Sequence, residues 1–376
     1  MTEIHMVLTD DWELRGDGSG NVRALQFETL RELRRIYEES GINASFNVEV
    51  MQQLSHLEWG THHSHLGEIA AEWEDLVQET YLRGHDVQLH VHAQWTNAQY
   101  EADRWVLSGD WSILNYSENA AETMIRNCKD YLEQLLRSSN QTYQCVSFRS
   151  GSWCIAPSPH LLCVLSRLGI VFDMSIVEGL KYDGIVDLDY RSVDEPFLPY
   201  YPVMTDARRA SPRQEPLVCV PTHSFRYNPV PRAWHTIRRR FTDPREYMAP
   251  NAVPPKDSGD NRYSVWEKKK SRMSRVLARV RRHFKPEIVV SDLSALSYPL
   301  MVSMIDDIRR RAESSGWDRV PVIIENHTKD VGNFRPIERF ANLVSSVPDI
   351  NVSTLTELAS KLQAGTYPLA GDGSSN

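Results

Sequence analysis

From residue 4 to residue 173 the chain alternates short apolar strands with amphipathic helices, and that alternation limits the folds open to it. Strand signals fall at 4–9, 42–48, 86–92, 145–148 and 170–173. Between them lie helical periodicities at 25–40, 69–82, 118–136 and 159–168; Gly41, Gly84 and Gly169 stand just after three of these. Strands joined through helices by short connections predict a parallel sheet, either closed into a barrel or doubly wound. The pattern stops near residue 180 and resumes with a helix at 300–314, a strand at 320–325, a helix at 336–346 and a last strand and helix within 350–362. The expected organisation is a first barrel part at 1–180, an insertion at 181–290, a last barrel part at 291–364 and a disordered tail at 365–376.

The insertion is unlike the rest. Within 187–262 proline, tyrosine and arginine are frequent, with one strand signal at 217–220. Residues 232–285 hold 16 lysines and arginines against 5 acidic residues, although the whole chain carries a formal charge of -8. That net charge gives no reason to expect nucleic acid as a partner. The basic segment, partly helical near 265–284, reads as a solvated face or as an anion-binding or membrane-surface patch. Five cysteines (Cys128, Cys145, Cys154, Cys163, Cys219) without CxxC spacing read as free thiols in a reducing compartment. No apolar run approaches the 18 or so residues that cross a bilayer, and Met1 leads straight into a strand without a signal-peptide pattern. A soluble, cytoplasmic protein is expected.

Ionisable side chains collect where strands end. Asp10 and Asp11 follow the first strand, His90 and His92 close the third, Arg149 follows 145–148, and Asn326-His327 follows 320–325. In a (β/α) barrel these ends converge on one face, where active sites are built. His90 and His92 are two apart on a strand and point to one side, so they can share an ion. Carboxylate with imidazole suits a divalent transition metal, zinc first, with a position open for water. One aspartate would bind metal while its neighbour takes a proton, Arg149 would hold the base ionised, and His327 would be the opposing acid. This is the equipment of an amide or ester hydrolase. His223, after the strand at 217–220, and Asp173, at the end of another, could reach the same face, His223 towards substrate and Asp173 to orient Arg149 or a histidine. The cluster Thr61-His62-His63-Ser64-His65 lacks a carboxylate at matching spacing and reads as an exposed loop.

Thr9-Asp10-Asp11, Gly41-Ile42-Asn43-Ala44-Ser45-Phe46, Gly84 to His90, Phe148-Arg149-Ser150-Gly151-Ser152-Trp153 and Glu325-Asn326-His327-Thr328 resemble, in order, the motifs of the polysaccharide deacetylase superfamily. This is the NodB-homology group that includes carbohydrate esterase family four. The resemblance covers roughly 4–175 and 318–362. It implies a distorted, TIM-like (β/α) barrel with the basic segment inserted. It further implies Asp10 as base, Asp11 and His90 as metal ligands, Arg149 as partner of the base, Trp153 as a wall of the acetyl pocket, and His327 as acid. The family's second histidine usually stands four residues after the first; here Gln94 occupies that place, assigned to substrate contact, and His92 takes over in an HxH variant.

The function expected is metal-dependent removal of an acetyl group, N-acetyl foremost, from a sugar in cytoplasmic polysaccharide or O-antigen type assembly. A nucleotide- or lipid-linked substrate would suit the basic segment. The alternatives are a barrel that binds an acetylated glycan or carrier without hydrolysis, and a deacylase for an O-ester or another linear amide.

Overall fold

A computed structural model describes residues 2–227 and 287–369. Its centre is a curled parallel sheet of eight strands: β1 (Glu3–Trp12), β2 (Ser45–Glu49), β3 (Asp86–Val91), β4 (Ser147–Ser150), β5 (Phe172–Asp173), β6 (Val218–Cys219), β7 (Arg319–His327) and β8 (Ile350–Val352). They run in the order β6-β5-β4-β3-β2-β1-β7, with β8 pairing Ile4–Met6 of β1. The gap between β6 and β7 is bridged by irregular chain. Thr222 pairs with Ile323, the His223 amide donates to the Ile323 carbonyl, and Ser291 and Leu293 continue the bonding to Glu325. The result is a distorted barrel rather than an open doubly wound sheet.

The helices α1 (Glu28–Glu39), α2 (Val50–Gly60), α3 (Ser64–Leu82), α4 (Glu118–Arg137), α5 (Leu161–Arg167), α6 (Tyr298–Ser315), α7 (Arg335–Ser346) and α8 (Leu355–Gln363) complete the fold. On α4 the Ser117 side chain accepts from the Ala120 amide, and Ala121, Ile125, Cys128, Leu132 and Leu136 form one buried stripe. Helix α2 had no sequence signal. Its cap is Glu49, whose carboxylate accepts from the Met51 and Gln52 amides, and glutamate lies outside the usual capping set.

Alternation along β1 divides the core. Ile4, Met6, Leu8 and Trp12 pack in the larger apolar cluster, with Trp12 stacked on Trp73 of α3. Val7 instead joins Phe172, Met174, Val220, Ile323 and, from α8, Leu355 and Leu358. Helix α8 sits under the N-terminal strand ends, its Leu355 amide donating to Ser45 Oγ and its Thr356 amide to Asp86 Oδ2. It fills one mouth of the barrel and leaves the C-terminal mouth for the site.

The span expected as an insertion contributes β6 to the barrel, together with hairpins at 181–189 and 202–210 and an antiparallel pair of 224–227 with 287–290. The expectations for the basic segment 232–285 and for the end of the tail lie outside the described residues. The five thiols are free, four of them buried and Cys163 half-buried. No helix among the described residues is long and apolar enough to cross a membrane.

Candidate metal and catalytic centre

A cavity of about 350 Å³ opens at the C-terminal strand ends. Charged Asp11, Glu13, Asp292 and Lys329 line it with His90, His92 and His327, and so do Trp111, Trp153, Leu180, Tyr182, Val186 and Leu188. A largely apolar lining with a few ionisable groups is the usual form of a small-molecule site.

Strand register places the ionisable groups. Asp11 on β1 pairs with His327 on β7 and with Asn47 on β2, and His90 on β3 pairs with Arg149 on β4. Because β1 continues to Trp12, Asp11 and Glu13 face the cavity together and Asp10 faces the helices. Asp10 is fully buried, accepts from Asn326 Nδ2 and Tyr37 OH, and does not line the cavity. Burial pushes its carboxyl up to about 7, against those hydrogen bonds. The expectation that Asp10 is the base held by Arg149 is therefore corrected in its geometry: Arg149 Nη1 donates to Asp11 Oδ1 at 2.7 Å. Asn47 Nδ2 donates to the same oxygen at 2.9 Å. Burial would raise Asp11, but Arg149, then His90 and His327, outweigh it and hold the carboxyl at about 2.

Glu13 was not singled out by sequence, although period-two alternation from Asp11 points to it once the strand is known to continue. Its carboxylate contacts His92 Nε2 and Lys329 Nζ and lies 3.3 Å from His90 Nε2. Burial opposes its ionisation, yet Lys329 and His92 keep it well below the usual carboxylate range. His90 Nδ1 lies 2.9 Å from the Arg149 carbonyl, which can only accept, so Nδ1 donates there and Nε2 is the nitrogen turned to Glu13 and His92. The Nε2 atoms of His90 and His92 are 3.0 Å apart. Two imidazole nitrogens and a carboxylate oxygen converging at this range fit a divalent cation, and zinc accepts such a His₂Glu set. Gly151 makes room, since a Cβ there would lie 2.8 Å from His92 Cγ and Nδ1.

Gln94 does not contact the cavity. Its Nε2 lies 2.8 Å from His92 Nδ1 and donates to the Gly16 carbonyl, so it orients a candidate ligand rather than substrate. The structure likewise keeps His223 out of the cavity: it is buried, bonded to Ser291 Oγ at 2.6 Å, and part of the barrel closure. Asp173 is bonded to Ser175, and burial pushes its carboxyl up to about 7. Among the described residues it bonds neither Arg149 nor a histidine.

A second convergence among the described residues is formed by Asp292, Glu325 and His327. Asp292 Oδ2 holds His327 Nδ1 at 2.9 Å, which directs Nε2 to within 3.7 Å of Asp11 Oδ2. Burial and Lys329 disfavour the imidazolium, but Asp292 and Glu325 prevail and raise His327 to about 10. Glu325 accepts from Trp153 Nε1 at 3.2 Å, and the Trp153 ring meets His327 edge-on at 5.5 Å. Ser152 and Trp153 both have φ of 54°, a left-handed pair of non-glycine residues of the kind that gathers at functional sites. Asp292 had no recognisable sequence signal, because it lies in irregular chain. The Thr61–His65 cluster belongs to neither potential metal group among the described residues.

The curled parallel barrel is the fold of the polysaccharide deacetylases. A protein assigned as a polysaccharide deacetylase from Mycobacterium smegmatis is similar over 98% of this chain and 93% of its own, with a TM-score of 0.52 and 13% identity. A GH57-type branching enzyme from the archaeon Pyrococcus horikoshii is similar over 99% and 72%, with a TM-score of 0.49 and 13% identity. A polysaccharide deacetylase assignment from Pseudomonas aeruginosa PAO1 gives 97% and 93%, with a TM-score of 0.47 and 10% identity. No family model and no curated protein sequence matches the chain.

Proposed function

We propose that this chain is a metal-dependent hydrolase that removes an acetyl group, N-acetyl foremost, from a sugar. The observation that carries the reading is the placement of Asp11 between a His₂Glu donor set and a cationic imidazole. Glu13, His90 and His92 would hold the metal; when bound it would polarise the acetyl carbonyl and acidify the attacking water.

Asp11, kept ionised by Arg149 and Asn47, accepts the water proton as the oxygen attacks the carbonyl carbon. Its low basicity is offset by placement beside the donor set. His327, already protonated near neutral pH, gives its Nε2 proton to the nitrogen as the C–N bond breaks. An amine is a poor leaving group until protonated, which favours the amide over the ester. Asp292 orients His327 and stabilises its charge. Trp153 and Trp111 form the wall against which the acetyl methyl would pack.

The test is metal content by mass spectrometry of the wild-type protein, Glu13→Ala and His92→Ala, with acetate release from N-acetylated oligosaccharides. Near one transition metal per chain is expected, lost in both variants together with acetate release. Protein that stays metal-free after incubation with zinc would overturn the reading and leave glycan binding without hydrolysis.

A further inference from the structure

The catalytic cavity is larger and more apolar than an acetyl group needs. An acetyl displaces about two water volumes, on the order of 60 Å³, and the cavity holds about 350 Å³.

The polar groups of its lining are engaged with one another. Asp11 is held by Arg149 and Asn47, Glu13 by Lys329, and Asp292 by His327. Ser150 Oγ donates to the Cys154 carbonyl at 2.7 Å. A hydroxyl-rich group deep in the cavity would compete with these pairings or go unpaired, and an unpaired buried hydroxyl is costly. A run of methylenes meets no such cost.

The apolar wall also continues past the acetyl position. Trp153, against which the acetyl methyl would pack, is tied to the hairpin at 181–189. Tyr190 OH donates to the Trp153 carbonyl at 2.5 Å, and the Tyr190 amide to the Leu180 carbonyl at 2.8 Å. Tyr182 and Leu188 are direct cross-strand partners in this hairpin. With Leu180 and Val186 they line the cavity, whereas Lys181, Asp183 and Asp187 between them are exposed. Period-two alternation on both strands therefore turns one apolar face inward. Val186 and Leu188 belong to the main apolar cluster, and Leu180 and Tyr182 pack against it, so the face is fixed from behind. The side chains of Leu180, Val186 and Leu188 carry no donor or acceptor and can offer a substrate only apolar contact.

We propose that this hairpin face is a pocket for an N-acyl chain longer than acetyl, of the butanoyl to hexanoyl class, so that the protein cleaves such amides as well as acetamides. The bond changes are those of the acetamide reaction. The oxygen of water bonds to the acyl carbon, the C–N bond breaks, the nitrogen leaves with a proton, and a carboxylic acid and an amine result. The cleavage rests on the deacetylase reading; the binding of the chain does not.

The test is calorimetric titration of the full chain, as Asp11→Asn to prevent turnover, with N-acetyl-, N-butanoyl- and N-hexanoylglucosamine. Affinity is expected to rise about fourfold for each added methylene that the wall buries. Leu180→Ser removes apolar surface and Leu180→Trp fills the space. Each, added to that background, is expected to lower the ratio of hexanoyl to acetyl affinity by about fourfold or more. Leu180 is half-buried, so both variants should fold; if one melts well below its parent the other decides, and the chain-length series needs neither. A hexanoyl compound that binds no tighter than the acetyl one, or a ratio indifferent to both substitutions, overturns the pocket. With zinc-loaded wild type, hexanoate release is expected to exceed acetate release at equal, subsaturating substrate; acetate release without hexanoate release overturns the activity. Failure of the deacetylase reading shows differently, as binding that strengthens with chain length while no carboxylate is released from any of the three.

Discussion

Substituting Gly151 by alanine tests how closely the end of β4 is fitted to His92. The added Cβ would stand 2.8 Å from His92 Cγ and Nδ1 and 2.8 Å from the Val91 carbonyl oxygen. Ordinary contact begins near 3.4 Å, so about 0.6 Å must be found in the ring or the backbone. Neither yields freely: Val91 closes β3 between His90 and His92, and His92 Nδ1 is bonded to Gln94 at 2.8 Å. A ligand constellation tolerates about 0.5 Å of error. Zinc affinity is therefore expected to fall about 10–100-fold, the range for a lost supporting contact, or roughly 1.4–2.7 kcal/mol. Overpacking adds about 1–3 kcal/mol of lost stability. Competition against a chromophoric chelator measures the first effect and a denaturant midpoint the second. Gly332→Ala is the control, because nothing lies within 4 Å of its Cβ. If Gly151→Ala binds zinc as the wild type does, the fitted-ligand argument is refuted.

Further outcomes follow from the same geometry. Asp11→Asn should lower acetate release by about 10²–10⁴-fold, whereas Asp10→Asn should retain it. Asp10 is raised to about 7, so its contribution to stability is complete below 3.8 and is lost as pH rises through 7. Asp10→Asn should then gain stability above neutral pH in urea melts; a loss there contradicts the assignment. Arg149→Met leaves Asp11 buried without its cation and should cost about 3–5 kcal/mol by denaturant titration. Because Asp11 is depressed from 3.8 to about 2, the wild type should lose about 2.4 kcal/mol as pH falls across that window. An acid limb unchanged in Arg149→Met counts against this pairing. His327→Gln should reduce amide cleavage by about 10²–10⁴-fold while sparing p-nitrophenyl acetate, whose leaving group needs no proton; equal losses on both substrates would remove His327 from the acid role.

Much of the barrel was legible because its strands and helices are local periodicities. Strands β1, β3 and β7 and helices α4, α6 and α7 fall where apolar spacing places them, and the ends of β3 and β7 carry His90, His92 and His327 to one mouth. Helix α2 escaped because its cap is a glutamate, and β6 was assigned to an insertion because the chain around it loses its period. The ionisable residues at strand ends pointed to the candidate site, and alternation along a strand could have named Glu13. What sequence could not set was where β1 ends. Three residues beyond the expected end decide that Asp11, not Asp10, faces the cavity, and that extension comes from pairing with β2 and β7. The roles of Arg149, Asn47 and Asp292 likewise depend on neighbours 138, 36 and 35 residues away. Residue type and spacing are properties of the chain, whereas register, burial and the pKa values they impose exist only once distant strands share a barrel.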